Sequence, residues 1–79
     1  MNTNQLTYFI AVAENQNFTK AAAQCYLTQT AITQQIQILE KQMDVVLIDR
    51  TSRPIKLTQA GHIFYHEAKD ILARINLAI

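Results

Sequence analysis

Uncharged polar side chains that could read the edges of DNA bases lie along one face of a predicted helix near the middle of the chain. They recur at helical spacing and are Thr30, Thr33, Gln34 and Gln37. A glutamine amide offers a donor beside an acceptor, which suits N6 and N7 of adenine, and a threonine methyl can contact a thymine methyl. Polar helix faces are more often simply solvated, so the interpretation depends on what surrounds this helix.

Basic side chains follow the polar helix in one short segment, where no acidic residue separates them. They are Arg50, Arg53 and Lys56, while Lys20 and Lys41 add positive charge nearer the helix. A local basic segment can neutralise DNA phosphates, and an arginine suits a narrow, A·T-rich minor groove. The chain of 79 residues has a net charge of only +1, which predicts modest non-specific affinity. The alternative, that these cations merely solvate a turn, carries equal weight until the neighbouring elements are considered.

Other chemistry-bearing residues do not form a catalytic or metal site that the sequence can support. His62 and His66 are four residues apart, which is a metal-ligand spacing, but no third ligand lies near them in the sequence. Cys25 is the only cysteine, so no internal disulfide is expected and a packing role is favoured. The carboxylates are scattered, and the single glycine excludes a glycine-rich phosphate loop. We therefore expect no enzyme and no metal or cofactor in this segment, and a zinc-responsive histidine pair stays as an alternative.

The polar helix is the second of a helix pair that the sequence predicts between residues 18 and about 37. Ala21–Ala23 are small enough to let two helices cross closely, and a polar break at Leu27–Gln29 separates them. Thr19 and Thr28 are the expected N-caps of the two helices. The second helix runs to about Met43 and buries an apolar face, which consists of Ile32, Ile36, Leu39 and Met43.

Further elements flank this pair and complete a mainly α-helical fold. An earlier helix is expected between a cap within Asn2–Asn4 and an end at Asn15–Asn17. Val45–Asp49 and Ile55–Leu57 are predicted as two strands around a proline-containing turn, so a β-hairpin wing is expected. The sequence thus predicts a winged helix-turn-helix, with a three-helix core and a wing, followed by a long helix that Thr58 caps. In this setting the polar face of the third helix favours base contact over simple solvation.

The last helix carries an apolar seam with alternating spacings of four and three residues. A domain this small cannot cover the whole seam, so a second copy of the chain is the expected cover. Packing within a single chain is the alternative. The helix also ends on its seam, at Ile79, which suggests that the sequence continues in a longer protein. The expected dimer contacts are Phe64, Ala68, Ile71, Leu72, Ile75 and Ala78.

Residues spread over most of the chain resemble the DNA-binding domain of LysR-type transcriptional regulators. The matching residues are Leu6–Phe9, Val12–Glu14, Phe18–Ala22, Thr28–Gln29, Ala31–Ile36, Leu39–Glu40, Leu47, Arg50 and Leu57–Gly61. The trailing helix is similar to the linker helix of that family. Three positions depart from the family pattern, because Asp44 replaces a glycine, Thr30 a frequent proline and Gln34 a frequent cation.

The resemblance implies a bacterial-type transcription regulator that binds double-stranded DNA sequence-specifically, in the cytoplasm and associated with the nucleoid. It divides the chain into a DNA-binding domain at residues 1–58 and a linker or dimerisation helix at residues 59–79. It further implies a homodimer through that helix, a tetrameric full-length protein, no membrane, and a small-molecule effector bound by a missing C-terminal domain. A winged-helix protein-interaction module without DNA binding is the alternative.

The predicted helix-turn-helix and wing also assign roles to individual residues. The third helix is expected in the major groove, and the wing is expected near a minor groove. Base contacts are expected from Gln29, Thr30, Thr33 and Gln34. Contacts to phosphates or to the minor groove are expected from Thr19, Lys20, Thr28, Arg50, Arg53 and Lys56.

Overall fold

Four helices and one short hairpin make up the fold. The structure, a computed structural model, describes residues 1–78, and for residues 77 and 78 it describes the backbone alone. The seam positions Ala78 and Ile79 therefore lie outside the described side chains. The elements in chain order are α1 (Thr3–Asn15), α2 (Phe18–Gln24), α3 (Gln29–Met43), β1 (Ile48–Asp49), β2 (Lys56–Leu57) and α4 (Gln59–Ala78).

Each of the first two helices begins at an asparagine. The Asn2 side chain accepts a hydrogen bond from the Gln5 backbone N–H at 2.9 Å, and the Gln5 side chain accepts one from the Asn2 N–H at 3.3 Å. This capping box starts α1. Asn17 starts α2 by accepting from the N–H of Lys20 at 2.8 Å. The prediction that Thr19 caps α2 is wrong, because the helix begins at Phe18 and Thr19 already lies in its first turn.

The recognition helix α3 has the ends that the sequence predicts. The Thr28 side chain accepts from the backbone N–H of Ala31 at 3.0 Å, as an N-cap does. At the other end Asp44 adopts a left-handed conformation with φ of 55°, in the position where the family pattern has glycine. A non-glycine residue pays a steric cost of roughly 1–2 kcal/mol for this conformation, less for aspartate than for most residues.

The hydrophobic core lies where α1, α2, α3 and the start of α4 meet. Ala21 and Ala22 are buried, so α2 can lie close to its neighbours. From α4, Phe64 and Ala68 also enter this core, and the Phe64 ring lies 5.3 Å from that of Phe9. The prediction that these two α4 residues form dimer contacts is therefore wrong, because their own chain already buries them. The largest fully buried side chains are Phe9, Val12, Ile32, Ile36, Leu39, Leu47 and Ile48.

The wing is an antiparallel hairpin of two-residue strands, in which Ile48 pairs with Leu57 and Asp49 with Lys56. Its first strand is shorter than the predicted Val45–Asp49. The Val46 carbonyl instead accepts a hydrogen bond from the Thr58 hydroxyl at 2.6 Å, and the Leu47 carbonyl accepts one from the Thr58 N–H at 3.0 Å. The Thr58 hydroxyl also accepts from the N–H of Gly61 at 3.0 Å, which confirms Thr58 as the cap of α4. The residues before β1 thus fasten α4 to the wing.

Within residues 1–78, no helix combines the length and the apolar character that crossing a membrane would require.

Candidate nucleic-acid interface

A concave surface joins the helix-turn-helix to the wing. Its cleft has a volume of about 430 Å³ and is bordered by the start of α2, the start of α3 and the turn of the wing. Five of the residues that the sequence assigned to DNA contact lie together on this cleft, and they are Thr19, Gln29, Thr33, Arg50 and Arg53. Residues from three separate elements therefore face one space, which periodicity along the sequence could not show.

Within this cleft, Thr19 and Gln29 are connected directly. The Thr19 hydroxyl donates a hydrogen bond to Oε1 of Gln29 at 3.0 Å, and both side chains are exposed. Thr19 does not cap its helix, so its hydroxyl serves the recognition helix instead. The sequence reasoning treated the two residues as independent contacts, and their separation of ten positions gave no signal of this bond.

The other two residues expected to contact bases lie elsewhere on α3. Gln34 borders a second cleft of about 230 Å³, together with Gln37, Ile38 and Lys41. Thr30 is exposed but borders neither cleft. The four candidates therefore spread over the exposed half of α3, while Ile32, Ile36 and Leu39 on its other half are buried.

Arg50 borders the first cleft, and its guanidinium is bonded within the protein. Its guanidinium lies 3.1 Å from one oxygen of Glu40 and 3.5 Å from the other, and it also donates to the carbonyl of Ile48 at 3.3 Å. The same Glu40 carboxylate accepts from the N–H groups of Leu47 at 2.7 Å and Ile48 at 3.2 Å. These bonds engage the guanidinium within the protein, and the contact of Arg50 with phosphate or the minor groove stays a prediction. Its role is to hold β1 against the end of α3.

Glu40 supports the residues that border the cleft, and the sequence reasoning missed it. Its side chain is only 12% exposed, so the contact with Arg50, which is 34% exposed, is partly shielded from water. Arg50 also lies over the ring of Phe18, 5.4 Å from its centroid. The group of Glu40, Arg50 and Phe18 links three elements that border the cleft. The resemblance matched all three residues but gave no signal that they contact one another.

Arg53 occupies the tip of the wing. It is exposed, and its guanidinium donates to the carbonyls of Arg50 at 2.6 Å and Ser52 at 2.9 Å. Nearby, hydrogen bonds from the Thr51 side chain and backbone lower the pKa of Asp49. Lys56 is exposed opposite this carboxylate in the hairpin. The wing therefore presents two cations, with one acidic side chain whose oxygens are already bonded.

Two residues expected to contact phosphate lie near the ends of α2 and α3. Lys20 is exposed in the first turn of α2, and Thr28 is exposed at the N-cap of α3. The Thr28 oxygen accepts a backbone N–H, which leaves its hydroxyl proton available for an outside acceptor. Both residues can therefore donate to an anion without losing a contact that the fold uses.

Along α4, the apolar seam remains accessible beyond Ala68. Ile71 is 39% exposed and Ile75 is 38% exposed, whereas Leu72 is half-buried against the core. Ile63 is 62% exposed and points away from the buried stripe of Phe64 and Ala68. The exposed part of the seam is thus narrower than the sequence predicts.

The two histidines border a separate cleft of about 400 Å³ between α1, β2 and α4. His62 and His66 are both exposed, and Glu14 and Tyr65 border the same cleft. Among the described residues, no three His, Cys, Asp or Glu side chains are grouped as a metal site would need. The two histidines therefore have the spacing of metal ligands but lack, among the described residues, the further ligands that structural zinc takes.

A polar contact beside the histidines fixes α4 to α1. The Tyr65 hydroxyl donates to Oε2 of Glu14 at 2.5 Å, and Nζ of Lys69 lies 3.4 Å from the same oxygen. The hydrogen bond from Tyr65 lowers the pKa of Glu14, with a smaller contribution from Lys69. The same bond to Glu14 raises the pKa of Tyr65. Tyr65 and Lys69 thus hold α4 on α1 through Glu14. Tyr65 and Glu14 are 51 positions apart in the sequence.

The three packed helices, the turn between α2 and α3 and the hairpin define a winged helix-turn-helix domain. Residues 3–62 match the family model described as "Bacterial regulatory helix-turn-helix protein, lysR family". The chain belongs to this family.

Curated relatives match nearly the whole chain. The chain is 44% identical over 75 residues to a probable cat1 operon transcriptional activator of Acinetobacter lwoffii, covering 95% of this chain and 25% of the relative. It is 42% identical over 76 residues to the HTH-type transcriptional regulator BenM of Acinetobacter baylyi, covering 96% of this chain and 25% of the relative. The chain thus spans about a quarter of the length of these relatives.

Solved structures of similar proteins have the same fold. One is a crystal structure of a "BenM_DBD/benA site 1 DNA Complex", which matches with a TM-score of 0.96 and 41% identity over 99% of this chain and 88% of that chain. Another is a "CbnR_DBD-DNA complex", which matches with a TM-score of 0.94 and 45% identity over 99% of this chain and 90% of that chain. Both structures contain DNA.

Proposed function

We propose that this chain is the DNA-binding part of a LysR-family transcription regulator and that it recognises duplex DNA sequence-specifically. The observation that carries the proposal is the cleft that brings Gln29 and Thr33 of α3 together with Arg53 of the wing. A recognition helix and a wing on one concave surface can occupy a major groove and the adjacent minor groove at the same time. The similar BenM and CbnR structures, which contain DNA, support this role.

In this proposal the contacts divide by chemistry. Gln29, Thr30, Thr33 and Gln34 offer amide and hydroxyl groups to base edges from the exposed half of α3. Lys20, Thr28 and Lys56 donate to phosphates and position the domain. Arg53 enters a minor groove, where a narrow A·T tract attracts guanidinium. Arg50 stays with Glu40 and supports the wing from behind.

A second copy of the chain completes the site. Ile71 and Ile75 leave apolar surface exposed on α4, and pairing of two such helices covers it. A symmetric pair places two recognition helices on two half-sites and so favours a palindromic sequence. By analogy with the family, the full-length regulator is a tetramer in the bacterial cytoplasm, with a small-molecule effector bound outside this segment.

Equilibrium binding to a pool of duplexes at several salt concentrations tests the proposal. We expect affinity to fall linearly with salt on a logarithmic plot, and a selected pool to become enriched in a palindrome. Arg53→Ala should reduce the slope of log affinity against log salt concentration by about one unit, because one counterion-releasing contact is lost. It should weaken binding most at sites with A·T-rich flanks. Arg74→Ala removes the same charge from α4 and is the matched control.

Two outcomes would contradict this proposal. If the wild-type chain shows no salt-dependent affinity for any duplex, the winged domain is a protein-interaction module. If Arg53→Ala and Arg74→Ala change the slope equally, the wing makes no specific contact and Arg53 acts only through total charge.

A further inference from the structure

The bond between Thr19 and Gln29 bears on which base the recognition helix selects. Resting on the proposed function, we propose that Thr19 is a positioning residue that turns the Gln29 amide so that its NH₂ group faces the DNA. Gln29 then selects a keto base, guanine or thymine, over an amino base, adenine or cytosine. This conclusion differs from the general expectation that glutamine suits adenine.

The geometry of the bond supports this orientation. The Thr19 hydroxyl donates to Oε1 of Gln29 at 3.0 Å, so the carbonyl side of the amide is turned toward α2. The NH₂ group of a carboxamide points away from its carbonyl oxygen, and Nε2 is therefore left on the side away from α2. Among the described residues, no hydrogen bond uses Nε2 of Gln29. Both residues border the cleft between α3 and the wing, where a ligand has access to them.

Two neighbouring caps explain why this hydroxyl is available. Asn17 caps α2, so Thr19 is released from the capping role that its position near the helix start suggests. Thr28 caps α3, so Gln29 stands as the first residue of α3 and its side chain is not needed by the helix. The contact between Thr19 and Gln29 therefore serves neither helix start, and it joins the two helices at the cleft.

The chemistry of the major groove converts this orientation into base selection. Guanine O6 and thymine O4 are acceptors at the exocyclic position, whereas adenine N6 and cytosine N4 are donors there. An NH₂ group can donate to O6 or O4 in the first pair, whereas at the exocyclic position of the second pair it meets another donor, and adenine can accept from it only at N7. The bidentate pairing of glutamine with adenine requires Oε1 to face the base, and Oε1 is the atom that Thr19 holds.

Selection of bound duplexes from a random pool, followed by affinity measurements on single sites, tests the inference. The position read by Gln29 is the one whose preference Gln29→Ala flattens. At this position the wild-type chain should prefer a keto base by about tenfold or more. Thr19→Val, which keeps the shape and removes the hydroxyl, should lose this preference and admit adenine. Thr19→Ser keeps the hydroxyl and should retain the wild-type preference.

A second variant tests the same chemistry without changing α2. Gln29→Glu presents acceptors only, so it should reverse the preference toward cytosine and adenine. This arm, with the wild-type preference, tests donation from Gln29 to the base even if Thr19→Val fails to fold, which circular dichroism would show.

Several results would overturn the inference while leaving DNA binding intact. A wild-type preference for adenine at this position would contradict it directly. If Thr19→Val lowers the affinity for all sequences equally, Thr19 is a phosphate contact. If Thr19→Val leaves the base preference unchanged, the bond does not direct Gln29. Complete loss of duplex binding by the wild-type chain would instead contradict the proposed function, and the inference with it.

Discussion

Gln34 is the residue whose role depends most on its place around α3. It is exposed on the second cleft, away from Gln29, and the family pattern often has a cation there. We expect Gln34→Ala to cost about 1–3 kcal/mol on the preferred site and to flatten the preference at one base pair. Competition binding with single-base variants of the site measures this. An equal loss on every sequence would show that Gln34 contacts phosphate.

The pKa of Glu14 gives a prediction on stability against pH. Because Tyr65 and Lys69 hold this pKa below its ordinary value of 4.5, Glu14 stabilises the fold above that pH. This contribution is lost as the pH falls from 4.5 through the folded-state pKa. In Tyr65→Phe, we expect the pKa of Glu14 to rise and the loss of stability over this range to become smaller.

An NMR titration of the Glu14 carboxyl, with unfolding curves at each pH, checks this prediction. Tyr8→Phe removes a hydroxyl near the middle of α1, away from Glu14, and serves as the control. If the Glu14 pKa is the same in the wild-type chain and both variants, the bond between Tyr65 and Glu14 does not persist in solution.

For individual residues, the sequence predicted which side chains could contact DNA better than it predicted their hydrogen-bond partners within the protein. It singled out Gln29, Thr33 and Arg53, and the structure brings these onto one cleft. It could not predict that Glu40 forms a salt bridge with Arg50, because no regular sequence spacing relates a residue of α3 to one that follows β1. A charged residue in a basic segment looks available for DNA until its neighbour in space is known.

Among the elements, helices were predicted more accurately than the hairpin. The 3.6-residue period determines which face of α3 is buried, and Ile32, Ile36 and Leu39 are fully buried. The first strand was predicted too long, because Val45 and Val46 have strand-forming side chains. The backbone of Val46 and Leu47 bonds to Thr58 instead, and no local pattern signals that competition.

Gly61 provides a test of how α4 is fastened to the wing. A Cβ atom added at Gly61 would lie 2.1 Å from the carbonyl oxygen of Leu47, so α4 or the wing would have to shift. We expect Gly61→Ala to destabilise the fold by about 1–3 kcal/mol, although alanine in an open helix position would stabilise by roughly 1 kcal/mol. Urea unfolding gives the sign. A stabilised variant would show that α4 does not pack this closely.

At the scale of the whole molecule, the decisive question is whether α4 makes a dimer. Burial of Ile71 and Ile75 against a partner could contribute about 1.5–3 kcal/mol per side chain before the costs of association. Ile71→Glu should therefore give a folded monomer that binds a half-site weakly and gains nothing from a second half-site. Analytical ultracentrifugation of the wild-type and variant chains measures the oligomeric state.

Ile63→Glu is the control, because Ile63 is more exposed and lies beside the seam of Ile71 and Ile75 rather than on it. We expect this variant to remain a dimer. If only Ile63→Glu produces a monomer, the partner contacts the flank of α4 that carries Ile63. If the wild-type chain is itself a monomer at high micromolar concentration, the proposed interface is wrong.

The attachment of α4 has a mechanical consequence. Gly61 lies against the wing, and Phe64 packs on Phe9 of α1. Tyr65 and Lys69 contact Glu14, so the first half of α4 is fixed to the rest of the domain at several points. A helix of 20 residues is about 30 Å long, so a tilt of about 10° moves one end by about 5 Å relative to the other. Consecutive base pairs are about 3.4 Å apart. A tilt of the whole chain about the far end of α4 would therefore shift the base of the helix by more than one base-pair step.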